Sequence, residues 1–338
     1  MADTDTQFSQ TQTLCAINSN EDQAAVCSDS AHTDGLPEPL NLKWVKGILI
    51  AEGVNITRVY LGLNSETGSL MAVKQFELPK SATDPVARLR LRGMIANFVN
   101  ENRVLKDLDH PHIVQYLGWV VTPGYLTLLL EYVSGGTIAS CLASYGPFEE
   151  DMTRSFALQI LSGLEYLHSR GIIHKDIRSG SVLVEQQGTC KISHFAFSEK
   201  TENLQETGFT PREGKIFWMP PEAIKIDPNR GYNTKLDIWS FGCVVLEMWT
   251  GFRPWNGLGE IPVMFKLAVE KAAPPVPDAI NIDEVGHDFR RACFERDPDM
   301  RFSAAELRQH PYLALPKDWK FNGFGDKQMI QNNHISFS

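Results

Sequence analysis

Between Ile238 and Trp249 the chain is apolar on nearly every side of a helix, interrupted by Ser240 and Glu247. A helix without a polar face has to be enclosed on all sides. The run is too short and too interrupted to span a membrane, so it demands a large protein core around it. The 338 residues, 43% hydrophobic and 10% aromatic, can supply one. That length fits one large domain with tails.

Composition narrows the class further. The net charge of −9 argues against a generally basic nucleic-acid-binding surface. Cys15, Cys27, Cys141, Cys190, Cys243 and Cys293 are scattered without CxxC spacing, against a zinc site or a disulfide framework. Most lie in apolar runs and read as reduced core thiols. The start, MADTDTQFSQ, has no apolar signal region and no glycine after Met1 for myristoylation. No stretch approaches a membrane span. The expectation is a soluble, cytoplasmic protein.

Residues 1–41 are rich in Ser, Thr, Gln, Asn and Asp and read as a disordered polar tail. Order should begin near Leu42, where WVKGILIAEG alternates as a strand does. VYLGLN and LMAVKQFEL are strand-like around the turn SETG, residues 87–107 are helical, and LTLLLEYV is a strand before the breaker SGG. Thereafter helices dominate. Thr153–Arg170 carries Phe156, Ile160, Leu164 and Leu167 at helical spacing and ends at Gly171. Further helices are expected over 235–249, 262–271, 285–293 and 304–310. The domain closes near Pro311, and FNGFGDKQMIQNNHISFS reads as loose. No internal repeat is present, which removes solenoids and propellers.

Several motifs then occur in a fixed order. MAVK ends at Lys74; Glu101 lies in the helix before DHPHIVQYLG; LLLEYVSGG follows; then HKDIRSGSVLV, FWMPPEAI, YNTKLDIWSFGCVVLEMWTG and DPDMRFSAAELRQHPYL. Together these resemble the eukaryotic protein kinases over about residues 44–313. WVKG, MAVKQFELP, HPHIVQYLG and FWMPPE most resemble the MAP kinase kinase kinases, fungal ones above all. The resemblance implies an α+β, two-lobed fold: a β-rich N-lobe (42–132) with one main helix, a mostly helical C-lobe (134–313), and a C-terminal tail (314–338).

It also implies roles. Lys74 would hold the α- and β-phosphates of ATP and pair with Glu101. Gly53, Val59, Ala72, Glu131, Val133 and Leu183 would line the nucleotide site, with Leu130 as gatekeeper. Asp176 would stand at the catalytic-base position and Arg178 near the γ-phosphate. Glu222 would pair with a buried Arg301, and Asp237 would anchor the catalytic-loop backbone. Leu105, Tyr116, His174 and Phe195 resemble the apolar spine of active kinases, although simple core packing explains them equally well.

The pattern breaks where phosphate and metal are handled. The metal-binding DFG reads His194–Phe195–Ala196, and the asparagine that binds a second metal is Ser181. Mg²⁺ takes hard oxygen ligands in an octahedral shell; imidazole is a poor substitute and a serine hydroxyl a weak one. The glycine-rich loop, AEGVNITRVY, keeps only Gly53, and β-branched Val54, Ile56 and Thr57 resist the backbone shapes that close on phosphates. Pro220 replaces an alanine, Lys215 a Ser or Thr that bonds the catalytic aspartate, and Lys175 an arginine that receives an activation-segment phosphate. Losing one charge-stabilising group costs roughly 10²–10³ in rate; losing two metal ligands, on the order of 10⁴.

Three functions are compatible with this. The first is a pseudokinase that scaffolds or tunes a MAP kinase cascade, binding ATP weakly and Mg²⁺ poorly, with cascade proteins as partners. The second is an active Ser/Thr kinase with a rearranged metal site, for instance Mn²⁺ at His194. The third is a nucleotide-binding conformational sensor. Thr201, Thr207 and Thr210 lie in the activation segment, and Thr210–Pro211 is a proline-directed phosphorylation candidate.

Overall fold

The computed structural model describes residues 36, 38–52, 57–78, 85–201, 214–224 and 233–324. Most of the expected tail 1–41, Gly53 with its loop, Thr207 and Thr210 therefore lie outside the described residues. The chain divides into two units: one runs to Asn102 and adds Tyr116–Tyr132, the other holds Arg103–Gln115 and everything from Val133 onward. The architecture is α+β, as expected, with an antiparallel five-stranded sheet in the first unit and helices dominating the second.

The sheet of the first unit comprises β1 (Trp44–Glu52), β2 (Thr57–Asn64), β3 (Leu70–Glu77), β4 (Tyr116–Thr122) and β5 (Tyr125–Glu131) in the order β1-β2-β3-β5-β4. The turn SETG forms as read: Asn64 Oδ1 accepts the N–H groups of Glu66 and Thr67 at 2.9 and 3.2 Å, and Gly68 supplies a φ of 72°. Side chains alternate across β3 because successive residues of a strand face opposite ways. Met71 and Val73 join Val120 and Leu129 in a buried cluster, covered by Leu42, Trp44 and Tyr60. Lys74 and Phe76 face the single long helix, α1 (Pro85–Leu105). There Phe98 meets Phe76 and Trp119 edge to face at 5.3 and 5.6 Å.

The second unit is built around α5 (Lys235–Thr250), in chain order after α2 (Ile138–Tyr145), α3 (Glu150–Ser169) and α4 (Pro221–Ile224). Every residue of α5 from Leu236 to Thr250 is buried, as its all-apolar surface requires. Gly251, at φ 74°, ends it with an N–H bond to the carbonyl of Glu247. α6 (Glu260–Phe265) widens into a π-helical turn over Lys266–Glu270 that stops at Lys271, so the chain is helical over nearly all of the expected 262–271. α7 (Glu284–Cys293) and α8 (Ala304–Arg308) complete the helices, each started by a capping side chain, Asp283 and Ser303. Cys141, Cys190, Cys243 and Cys293 are free and buried, the core thiols expected. No helix among the described residues is long and apolar enough to cross a membrane.

The C-terminal stretch read as loose is not so at its start. Phe321 and Phe324 pack on α2 and α3: Phe324 stacks on Tyr145 at 4.8 Å, and Phe321 lies 5.7 Å from Phe156. Two aromatics in a short polar stretch bury enough apolar surface to hold it down. Residues 318–324 close a cavity of about 360 Å³ against Tyr145–Met152.

Candidate active site

In the first unit, β3 and α1 bring together Lys74 and Glu101. Lys74 Nζ donates to both carboxylate oxygens at 2.8 and 2.7 Å, and Glu101 is 0% exposed. Val59 is the register partner of Lys74 on β2, while Ala72 lies between Leu61 and Leu130. Glu131 ends β5 opposite Met71. Tyr116 donates to Asn102 Oδ1 at 3.0 Å.

In the second unit the loop from His174 to Ser181 hangs from α5. Asp237 accepts the backbone N–H groups of His174 and Lys175 at 2.8 and 2.9 Å, and His168 Nε2 lies 2.9 Å away. Burial pushes the pKa of Asp237 up, but the hydrogen bond and charge of His168, with His174, outweigh it and hold the carboxyl below its usual range. Lys175 takes a left-handed φ of 63°, at a cost of about 1–2 kcal/mol. Its N–H bond to Asp237 and an ion pair from its ammonium to Glu199 of β9 (Glu199–Lys200), the partner of β6 (Ile172–Ile173), hold it there.

His174 is fully buried. Its Nδ1 accepts the N–H of Asp176 at 3.2 Å, so Nε2 carries the proton donated to the Ser193 carbonyl at 2.9 Å. That is a neutral imidazole, consistent with burial lowering its pKa. Phe195 rests edge-on against His174 at 4.8 Å.

Asp176 is clamped. Lys215 Nζ lies 2.6 Å from Oδ2, and Arg178 Nε 3.5 Å from Oδ1. The same ammonium sits 3.9 Å over the ring of Phe197. Where the sequence placed a loss of the Ser or Thr partner, the lysine makes the contact instead.

Ser181 is buried and closed on its own loop. It accepts the Arg178 N–H at 2.9 Å and donates to the Arg178 carbonyl at 2.8 Å. Ser193 Oγ donates to the Ser181 carbonyl at 2.9 Å. With that proton spent, Ser193 Oγ accepts from His194 Nδ1, 2.9 Å away, which places an imidazole proton on Nδ1. His194 itself has a φ of 68°. Ser181 and His194 are thus joined through Ser193, across the loop that ends in β7 (Val182–Val184) and the loop that leaves β8 (Cys190–Ile192). Leu183 pairs with Lys191 between those strands, and Val133 is buried.

Glu247 was singled out only as an interruption of an apolar helix. It accepts from Ser179 Oγ at 2.6 Å, Ser179 N at 3.2 Å and Trp218 Nε1 at 2.8 Å, tying α5 to the His174–Ser181 loop and to the turn at Ile216–Trp218. Burial raises its pKa to about 7. A carboxylate inside an otherwise apolar helix was the signal that could have found it. The pairing of Lys175 with Glu199 had no comparable signal. Glu222 and Arg301 meet as expected, in a two-pronged contact of 2.6 and 3.2 Å, with Arg301 fully buried.

Comparison with known proteins agrees with this architecture. The protein kinase domain family matches residues 49–313. The MAP kinase kinase kinase mkh1 of Schizosaccharomyces pombe is 42% identical over 87% of this chain and 26% of its own length. The serine/threonine-protein kinase BCK1/SLK1/SSP31 of Saccharomyces cerevisiae is 41% identical over 86% of this chain and 19% of its own. The mitogen-activated protein kinase kinase kinase A of Dictyostelium discoideum is 38% identical over 81% and 28%. The chain thus spans between about a fifth and a little over a quarter of these relatives. Domains of this kind use ATP and Mg²⁺ in general. Matched over most of its length and carrying the five-stranded sheet, the Lys74–Glu101 pair and the Asp237-anchored loop, the chain belongs to the protein kinase domain family.

Proposed function

We propose that this chain is a pseudokinase of the MAP kinase kinase kinase type, a scaffold or allosteric regulator of a MAP kinase cascade in the cytoplasm. The observation that carries the reading is the state of the two metal-ligand positions. Ser181 spends its hydroxyl on the peptide of its own loop, and His194 offers an imidazole that is tied to Ser193. This donor set does not fit Mg²⁺, which needs oxygen ligands directed at it. Phosphoryl transfer rests on positioning and on neutralising phosphate charge, so loss of the metal removes most of what such a domain contributes. Lys215 adds to the effect by holding an ammonium 2.6 Å from Oδ2 of Asp176, the carboxylate at the catalytic-base position.

A second reading, a nucleotide-binding conformational sensor, is favoured by the intact Lys74–Glu101 pair. That pair supports weak ATP binding without metal. A partner surface is also at hand. Ile261, Met264, Phe265 and Val269 form an exposed apolar stripe on α6 and the turn after it, with Ile261 81% exposed. The segment IPVMFKLAVEK that carries it resembles the helix on which the family docks substrates, and a MAP kinase kinase is the proposed occupant.

Thermal unfolding with ATP, with and without Mg²⁺, tests the metal reading. The native chain should show a small ATP shift that Mg²⁺ does not enlarge, and His194→Asp with Ser181→Asn should make the shift Mg²⁺-dependent. A large Mg²⁺-dependent shift in the native chain would overturn it.

A further inference from the structure

The chain after residue 313 forms one wall of a cavity of about 360 Å³. Residues 318–324 line one side and Tyr145–Met152 the other, all within the second unit. The match to the protein kinase domain family ends at residue 313, so the first of these walls lies beyond it. The volume is at the small end of sites that hold an organic ligand.

The lining is aromatic. Phe324 stacks on Tyr145 at 4.8 Å and tilts against Phe148 at 5.5 Å, and Phe321 meets Phe324 edge to face at 5.4 Å. Trp319 lines the same cavity and joins none of these ring contacts, so its indole has no ring partner among the described residues. Elsewhere the chain covers aromatic faces with its own cations. Lys46 stands 3.5 Å over Tyr60, Lys215 3.9 Å over Phe197 and Arg253 3.8 Å over Phe217. Among the described residues no cation stands over a ring of this cavity, Lys320 included.

The charge of the lining is unbalanced. Glu149 and Asp318 oppose a single ammonium, that of Lys320. Neither carboxylate makes a hydrogen bond or ion pair among the described residues; Glu149, at the N-cap of α3, leaves the helix N–H groups alone. These features discriminate among ligand classes. An anion would meet Lys320 and the start of α3, but Glu150 and Asp151 already fill the first turn of that helix, and Glu149 and Asp318 repel it. A neutral apolar molecule would satisfy the rings and leave the carboxylates unused. An organic cation uses both: ring quadrupoles attract it, Trp most strongly, and the carboxylates balance its charge. A quaternary ammonium suits an aromatic wall best, because it brings no N–H that would lose its hydrogen bond there.

We propose that this cavity binds a small organic cation with a quaternary ammonium head, held by Trp319 and the Tyr145–Phe324 wall and balanced by Glu149 and Asp318. The ligand bridges the tail to α2 and α3. Isothermal titration of the whole chain tests this, with choline chloride, with its neutral carbon isostere, in which a tert-butyl group replaces the trimethylammonium, and with sodium chloride as the salt control. Choline should bind at one site, at least about tenfold more tightly than the isostere. Glu149→Gln with Asp318→Asn should weaken choline by about threefold to tenfold and leave the isostere and the unfolding temperature unchanged, since both side chains are exposed. Trp319→Leu should weaken choline by about tenfold. Saturating choline should also slow tryptic cleavage after Lys317 and Lys320 in the native chain. Equal affinities for choline and the isostere would overturn the proposal and leave an apolar cavity. So would choline binding that survives both sets of substitutions unchanged, or the absence of saturable heat up to about 10 mM choline.

Discussion

Lys74 and Glu101 illustrate how a buried ion pair constrains a single position. Glu101 is fully enclosed, and removing its partner leaves a charge with no solvent and no counterion. Lys74→Met should destabilise the chain by about 3–5 kcal/mol, and Lys74→Met with Glu101→Leu should recover much of that, both read from denaturant unfolding. Glu247 sets a pH dependence. Its native pKa of about 7 stands above the unfolded value of 4.5. Below pH 4.5 both states are protonated and it contributes no penalty. As pH rises toward 7 the unfolded state releases this proton first, so stability falls, by roughly 3 kcal/mol in total. Glu247→Gln should remove that part of the decline between pH 4.5 and 7.5 in unfolding measured across the range. A decline that persists unchanged in the variant would assign it to other groups.

Elements with a strong periodic pattern were legible before any coordinates. The all-apolar α5, the helix ending at Gly171 and the β2–β3 hairpin around Asn64–Gly68 each had local chemistry that admits one solution. α6 forms where helical text was read, although sequence period does not report its π-helical widening. The C-terminal stretch was misjudged because its aromatics find partners on α2 and α3, far away in sequence. That packing depends on the β7–β8 hairpin. Gly188 turns with φ 86°, and a Cβ there would overlap the Phe321 ring. Gly188→Ala should cost about 1–3 kcal/mol and free the segment after Pro316 for proteolysis. Added to Phe321→Ala, it should cost measurably less than it does alone, since the ring's part of the collision is gone and only the contact with the Cβ of residue 321 remains.

At the scale of the whole molecule, the fold could be read because motifs from both units fall in one order, and each serves a backbone anchor or a core contact. The candidate site was legible only by position. Sequence placed Ser181, His194, Lys215 and Asp176, but not the hydrogen bonds that turn Ser181 inward or set Lys215 on Asp176, which come from tertiary proximity. The α6 stripe belongs to this scale too. Ile261→Glu with Phe265→Glu should abolish capture of a MAP kinase kinase while leaving the unfolding temperature unchanged, because both side chains are exposed. Transfer of the γ-phosphate from ATP to a MAP kinase kinase by the purified chain bears most directly on the proposed loss of catalysis. A domain without working metal ligands should transfer on the order of 10⁴-fold less than an active kinase, with no further loss in Asp176→Asn. Robust transfer that Asp176→Asn abolishes would contradict it.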